Sequence, residues 1–485
     1  MKSVVQNLTR CVVTAAVASF CLVVSVDARA PLARPPHQPR NAGNGPQRFP
    51  APTTVDQVIQ NVGNIATTVD NWGYVGGYSY LGLPSGEWPR GSGHNYLAEI
   101  RYWIGGVTPN GDTLVANSYD DFQGMSDLST AANHRILLST DTSRYYSYDP
   151  NDTVGQGLGD PANGWRVWDP DSASWVYNRV YNPLDSTFFP GGPTSFQESF
   201  YRFNDIAMNG TSLLGLEMTH EVLQWNLCYN QDFMFVIVTI TNTSSVDYTN
   251  FAFGLYIDMD VGGPDGTGEN GRLDDMVAFD STENLAWTYD VKGWDAGWGG
   301  PSVPTGVMGT KLLETPDNIG MTAFRTDDWA LLPDDDPGRF AMINSTQFDQ
   351  SLPPTDQFYI QCTRGINLSA GKTVRVVYAL IAGKDEADFR ANADLAQQLY
   401  DNYFVGPQPP ATPKLTARAG DGKVYLSWND TAEVSIDPLS GKVDFAGYKL
   451  YRSDNQGKTW GQPVYNTGNN CLDLDYSPLA LFSVA

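Results

Sequence analysis

The sequence predicts a mainly β protein: a large β-sandwich-type body with one helix near its end, followed by a smaller C-terminal β unit. Three observations carry this expectation. Across residues 55–404, short β-branched and aromatic runs are separated by clusters of Gly, Pro, Asn and Asp, the spacing of a sandwich or a related sheet architecture. Two near-continuous apolar runs of strand length, DFMFVIVTIT (residues 232–241) and VRVVYALIA (residues 374–382), have the composition of buried strands. Only residues 385–403 of the mature chain place apolar side chains at helical spacing.

The chain opens with Lys2 and Arg10 ahead of the apolar run CVVTAAVASFCLVVSV, which ends in Asp27-Ala28-Arg29-Ala30. This is the pattern of a secretory signal over residues 1–30 with an Ala-x-Ala cleavage site. At about sixteen residues the run falls short of the roughly twenty that a bilayer span needs, and Phe20 before Cys21 does not suit a lipoprotein signal. The expectation is an exported chain, secreted or at the outer cell surface, with no integral membrane span after cleavage.

Residues 31–54, rich in Pro, Asn and Arg, read as an extended tether. The body over 55–404 has room for two subdomains. Within it, residues 232–241 are expected to form a buried central strand closed by the turn formers Asn242 to Ser245. FAFGLYI (residues 251–257) is expected as its antiparallel neighbour, and an acidic stretch begins where that strand ends. In the helix, Phe389, Ala393, Leu395, Leu399, Tyr400 and Phe404 form the apolar side, with Asp385 and Glu386 at its positive N-terminal end. A Pro-rich linker, residues 405–413, follows.

Beyond the linker, PKLTARAGDGKVYLSWND and DFAGYKLYRSDNQGKTW resemble a fibronectin type III domain, an immunoglobulin-like sandwich, over residues 414–485. The resemblance rests on a strand ending in Trp428 and another bearing Tyr448 and Tyr451. The last two strands and their tyrosine corner have no clear counterpart in QPVYNTGNNCLDLDYSPLALFSVA, so the domain is degenerate or incomplete. The layout as a whole is similar to uncharacterised secreted proteins of environmental bacteria, many of which end in a type IX sorting domain that is not visible here. That resemblance implies export and a surface location, and no reaction.

The formal charge of -24 argues against nucleic acid and against anionic membrane surfaces, since both require clustered Lys and Arg. Divalent cations are the natural electrostatic partners. Cys228, Cys362 and Cys471 lack CxxC spacing, which excludes a disulfide framework and a cysteine zinc site. A Cys228–Cys362 bridge and two buried free thiols remain the alternatives.

The acidic stretch GLYIDMDVGGPDGTGENGRLDDMVAFD (residues 254–280) surrounds one base, Arg272, with carboxylates. Counted as a twelve-residue calcium loop from Asp258, it puts Asp260 at position three, Gly263 at the turn and Glu269 at position twelve. Gly262 at position five and Pro264 at position seven depart from an EF-hand, which leaves a looser β-sandwich calcium site. Its candidate ligands are Asp258, Asp260, Asp265, Glu269, Asp274 and Asp275. The competing readings are a solvated acidic loop and a glycosidase carboxylate pair.

Other catalytic patterns are incomplete. His220-Glu221 begins like HExxH but continues Val-Leu-Gln, so the second zinc ligand is missing. Neither a Gly-x-Ser-x-Gly elbow nor a nucleotide loop is present, and Gly91-Ser92-Gly93-His94 reads as a turn. Trp72, Trp88 and Trp103 with their neighbouring tyrosines, and Trp165, Trp168 and Trp175, suit either sugar stacking or a β core, and core packing is the stronger expectation. Asp149, Asn151, Asp152 and Asp160, with Asp169 and Asp171, read as either another cation site or a set of Asx turns, and turns are the stronger expectation. The function expected is non-catalytic: adhesion or polymer binding, with polysaccharide or surface proteins as partners and a structural calcium loop. The alternative is a carbohydrate-active enzyme of glycoside hydrolase type, with paired carboxylates and aromatic subsites.

Overall fold

The computed structural model describes residues 55–118, 193–206, 212–263 and 271–404 continuously. It also describes parts of 119–192 and 406–483, and Val4–Gln6. The signal and tether otherwise lie outside the described residues. Two compact units are present, residues 29–397 and residues 398–485 with 1–28, the division falling within the last helix.

The larger unit is an antiparallel sandwich of twelve principal strands: β1 Leu97–Val107, β2 Thr113–Asn117, β3 Gln197–Ile206, β4 Ser212–Gln224, β5 Phe233–Asn242, β6 Tyr248–Met259, β7 Asp275–Asp280, β8 Leu285–Asp290, β9 Val307–Glu314, β10 Ala323–Asp328, β11 Gln357–Leu368 and β12 Thr373–Gly383. The larger sheet runs β7-β8-β9-β12-β5-β4-β3, with the short strands Gln123–Gly124 and Leu137–Leu138 beside β3. The smaller sheet runs β10-β11-β6-β1-β2. The mainly β sandwich expected from the sequence is therefore the observed architecture.

The expected central strand is β5, hydrogen-bonded on one side by β4 and on the other by β12. The expected hairpin between β5 and β6 does not form. β6 lies in the smaller sheet, between β11 and β1. The cause is the turn after β5, which carries the chain from one sheet to the other. Asn242 is fully buried there and donates its side-chain amide to Val246 O (2.7 Å) and to Leu368 O (3.0 Å) at the end of β11. Its own Oδ1 accepts from Ser244 N at 3.0 Å, an Asx turn that reverses the chain.

Period-two alternation fills the space between the sheets. Ile100, Tyr102 and Ile104 of β1 and Phe253, Leu255 and Ile257 of β6 meet Met234, Val236, Val238 and Ile240 of β5 and Val376, Tyr378 and Leu380 of β12. Each large side chain so buried contributes about 1.5–3 kcal/mol of transfer free energy. One polar thread crosses this core: His220 Nε2 lies 2.7 Å from Tyr102 Oη, which lies 3.0 Å from Tyr378 Oη. Burial pushes His220 down to about 3, so the imidazole is neutral and structural. The same burial places Trp72, Trp88, Trp103, Tyr96 and Tyr102 in the core rather than on a sugar platform. The side chains of Trp168 and Trp175, and those of the acidic group at 149–171, lie outside the described residues.

A helix covers the outer face of each sheet, where the sequence led us to expect one helix. The expected one is α2, Glu386–Asp401, whose Phe389 meets Trp287 of β8 with ring centroids 5.7 Å apart. The unexpected one is α1, Asp336–Ile343, capped by Asp335, whose side chain accepts from Gly338 N. Its Phe340 and Ile343 pack on Trp103, Tyr256 and Ile360 of the smaller sheet. The close approach needs glycine beneath the helix: a Cβ on Gly254 would stand 2.4 Å from Ile343 Cγ2.

Cys362 is a buried free thiol and Cys228 is disulfide-bonded, so the Cys228–Cys362 bridge is not formed. The smaller unit contains the hairpin Leu415–Gly420 with Lys423–Trp428. Its tail, where no strands were expected, supplies Pro463–Tyr465 paired with Leu474–Tyr476, and Ala480–Ser483 paired with Gly447–Leu450. Trp428 contacts Tyr448 and Phe482, each at 5.4 Å between ring centroids. Among the described residues, no helix is long and apolar enough to cross a membrane.

Two stability predictions follow from this packing. Gly254→Ala costs about 1–3 kcal/mol in urea unfolding, and adding Ile343→Ala, which removes the opposing Cγ2, makes the double variant less destabilised than the sum of the two singles. The second concerns Glu198, fully buried on β3, whose carboxyl burial raises to about 7. A folded state that holds this proton more tightly than the unfolded chain is favoured most below about pH 4.5 and loses that advantage as pH rises through 7, on the order of 2–3 kcal/mol. Glu198→Gln removes that part of the pH slope, read from unfolding midpoints at pH 5 and pH 7.5.

Candidate metal centre

The site is built by the exit of β6 from the smaller sheet. With Phe253, Leu255 and Ile257 facing the core, Ala252, Tyr256 and Asp258 take the outer face. Asp258 is the register partner of Phe358 on β11 and of Glu99 on β1, after which a bulge interrupts the ladder to β1. The chain then passes Asp260, whose N–H donates to Tyr96 O at 2.8 Å. Asp356 arrives from the turn immediately before β11. Asp258, Asp260 and Asp356 converge, one carboxylate oxygen of each lying within 4.8 Å of the others.

Arg272, on the short turn Gly271–Asp274, brings its Nε to 2.7 Å from Asp356 Oδ2. Three carboxylates and one guanidinium leave a formal charge of minus two, which one divalent cation would cancel. On the same outer face, Arg101 holds Glu99 Oε2 at 2.6 Å, and the Tyr74 hydroxyl donates to that oxygen as well. Glu99 Oε1 and Tyr256 Oη are buried with no hydrogen-bond partner. Oxygens left without a partner in a buried, carboxylate-rich region fit the donor chemistry of a hard cation.

Behind the triad, Asp275 opens β7 as the register partner of Asp290 at the end of β8. Asp275 Oδ2 accepts from Val261 N at 2.9 Å, which ties it to the loop just beyond Asp260. Burial, opposed by the Val261 hydrogen bond and reinforced by Asp260, Asp290 and Asp274, pushes the Asp275 carboxyl well above the usual range. Asp290 is pushed up too, by burial first and then by Asp274.

The flank of the loop is aromatic. Asp295 Oδ1 accepts from Gly263 N at 2.9 Å and from Gly297 N at 2.7 Å, and so pins the loop to the turn that carries Trp298. A Cβ on Gly263 would stand 2.6 Å from Trp298 Cδ1. His94 stacks on that indole, with centroids 4.5 Å apart and planes 9° from parallel, and partial burial lowers its basicity.

Of the six ligands expected from the sequence, Asp258 and Asp260 are brought together. Asp274 instead pairs with Lys292 at 2.5 Å, and Asp275 lies outside the triad in the pair with Asp290. Asp265 and Glu269 lie outside the described residues. Asp356 was missed because its approach depends on the pairing of β11 with β6 and leaves no local trace. Asp290 and Asp295 had a weaker signal, as carboxylates flanking the turn formers Gly293 and Gly297.

No family model matches the chain, and no curated protein is similar to it in sequence. Solved structures with a resemblance include a heparinase III (12% identity, TM-score 0.21, 48% of this chain and 24% of that one). A heparan sulfate lyase from Pedobacter heparinus (10%, TM-score 0.22, 81% and 44%) and a polysaccharide lyase (8%, TM-score 0.28, 77% and 44%) are two others. The chain spans less than half the length of each of these three proteins. At such scores the likeness carries no argument about this chain's fold or function.

Arg272 is expected to matter through charge. Arg272→Gln leaves the three acids without their internal counterion and costs about 1.5–3 kcal/mol in urea unfolding in the presence of chelator.

Proposed function

We propose that this is an exported, non-catalytic β-sandwich protein of a cell surface or extracellular matrix, acting in adhesion or polymer binding, and that its acidic loop takes a divalent cation of the calcium class. The observation that carries the cation reading is the convergence of Asp258, Asp260 and Asp356 on one point beside a fixed arginine. Calcium takes six to eight oxygens at flexible geometry, and a loop with glycines at 262, 263 and 271 can turn backbone carbonyls toward an ion. Carboxylates that converge suit a cation better than they suit two acids on opposite faces of a sugar.

The surface reading is supported by the signal and tether in the first 54 residues and by the net charge of -24. It is also supported by the fibronectin-like pattern of the smaller unit, where Trp428 packs between Tyr448 and Phe482. Polysaccharide and other surface proteins are the partner classes that suit such a chain. The cation's part is mechanical: it would tie the exit of β6 to the turn before β11, so that the loop presents one conformation.

The test is thermal unfolding of the full chain with calcium and with chelator, for the parent and for Asp258→Asn with Asp260→Asn. Binding to the native state raises stability by about 2.7 kcal/mol at a hundredfold excess over the dissociation constant. The expected result is a calcium-dependent rise in Tm that the double variant loses. An identical Tm with calcium and with chelator in the parent sinks the cation reading.

A further inference from the structure

Asp275 and Asp290 raise a question that the triad does not answer. They are register partners on adjacent strands, at 1% and 3% relative exposure. Side chains directly opposed on an antiparallel pair have Cβ atoms about 4.5–5.5 Å apart, and like charges so placed repel. Each also keeps one buried oxygen without a hydrogen-bond partner, Asp275 Oδ1 and Asp290 Oδ2. Their other oxygens are used in fixing the backbone: Asp275 Oδ2 accepts from Val261 N at 2.9 Å and Asp290 Oδ1 from Lys292 N at 2.7 Å. A solvated loop would not bury two opposed acids and leave an oxygen of each unmet.

We propose that this end of the sandwich holds two divalent cations, the second lying between Asp275 and Asp290 and separate from the one at the triad. Val261 connects the positions, because its N–H binds Asp275 while the preceding residue belongs to the triad. The backbone of Asp275 is tied to the triad's far side as well: its carbonyl accepts from Gln357 Nε2 at 2.8 Å and from Thr355 N at 3.3 Å, the residues that flank Asp356. Asp274, held by Lys292, stands beside Asp290 and adds to the negative field. Lys292 is therefore the one cationic side chain hydrogen-bonded at this position among the described residues, and it engages Asp274 rather than either member of the pair. Hard oxygen donors, two carboxylates completed by backbone carbonyls and water, select calcium or a similar cation over zinc.

This inference rests on the cation reading above, and the test separates the two. Calcium binding to the chelator-stripped full chain is titrated calorimetrically for the parent, for Asp275→Asn with Asp290→Asn, and for Asp290→Asn alone. The single variant leaves the Val261 hydrogen bond to Asp275 in place and guards against loss of the fold, which circular dichroism checks. The expected result is two cations per chain in the parent and one in each variant. One cation in the parent, unaffected by either variant, overturns the second position and leaves the triad standing. Two in the parent and two in both variants place the second ion elsewhere and overturn it as well. None in the parent overturns both readings.

Discussion

The pairing of β6 on both edges is the constraint on which the rest of the acidic end depends. Ladders to β11 and β1 fix which of its side chains face the core, and a slip of one residue would turn Phe253, Leu255 and Ile257 outward. Because that register is locked by burial, Asp258 has no choice of face. It must leave on the outer side, beside Glu99, and be met by the residue that precedes β11. The triad is thus a consequence of hydrophobic alternation several residues earlier.

Much of the frame was legible in the sequence. β5 and β12 declare themselves because strands flanked by partners and covered on both faces need near-continuous apolar runs, and α2 does so because a sixteen-residue helix repeats its apolar side often enough to be seen. What could not be read was pairing. FAFGLYI is equally suited to lie beside β5 or to face it across the core, and only the Asn242 clasp decides in favour of facing. α1 is eight residues long and contains Pro337 and Gly338, so its periodicity is too short to register. Its one clear mark was the Asp335-Asp336-Pro337 start signal.

The site shows the same division. Asp258 and Asp260 were legible as candidate ligands because they fall at positions one and three of a calcium-loop count in a stretch dense with carboxylates. Asp274 and Asp275 looked equivalent as neighbours in sequence, but Asp274 closes the short turn Gly271–Asp274 while Asp275 opens β7 and is fixed by its pairing with β8. One therefore meets Lys292 near the surface while the other is buried against Asp290. Asp356 and Asp290 are contributed by long-range pairing, and no local composition encodes that.

Electrostatics sets this end of the sandwich apart. Burying a carboxylate is costly unless it is paired, and at two sites away from the loop the pairing is supplied from within: Asp232 takes hydrogen bonds from Trp88 and Asn64, and Asp205 takes three backbone N–H groups. At the acidic end, by contrast, Arg272 serves Asp356 and Arg101 serves Glu99, while Asp275 and Asp290 each keep an oxygen with no hydrogen-bond partner. Glu198 also keeps one buried oxygen unmet, but it stands alone, whereas Asp275 and Asp290 oppose each other as register partners.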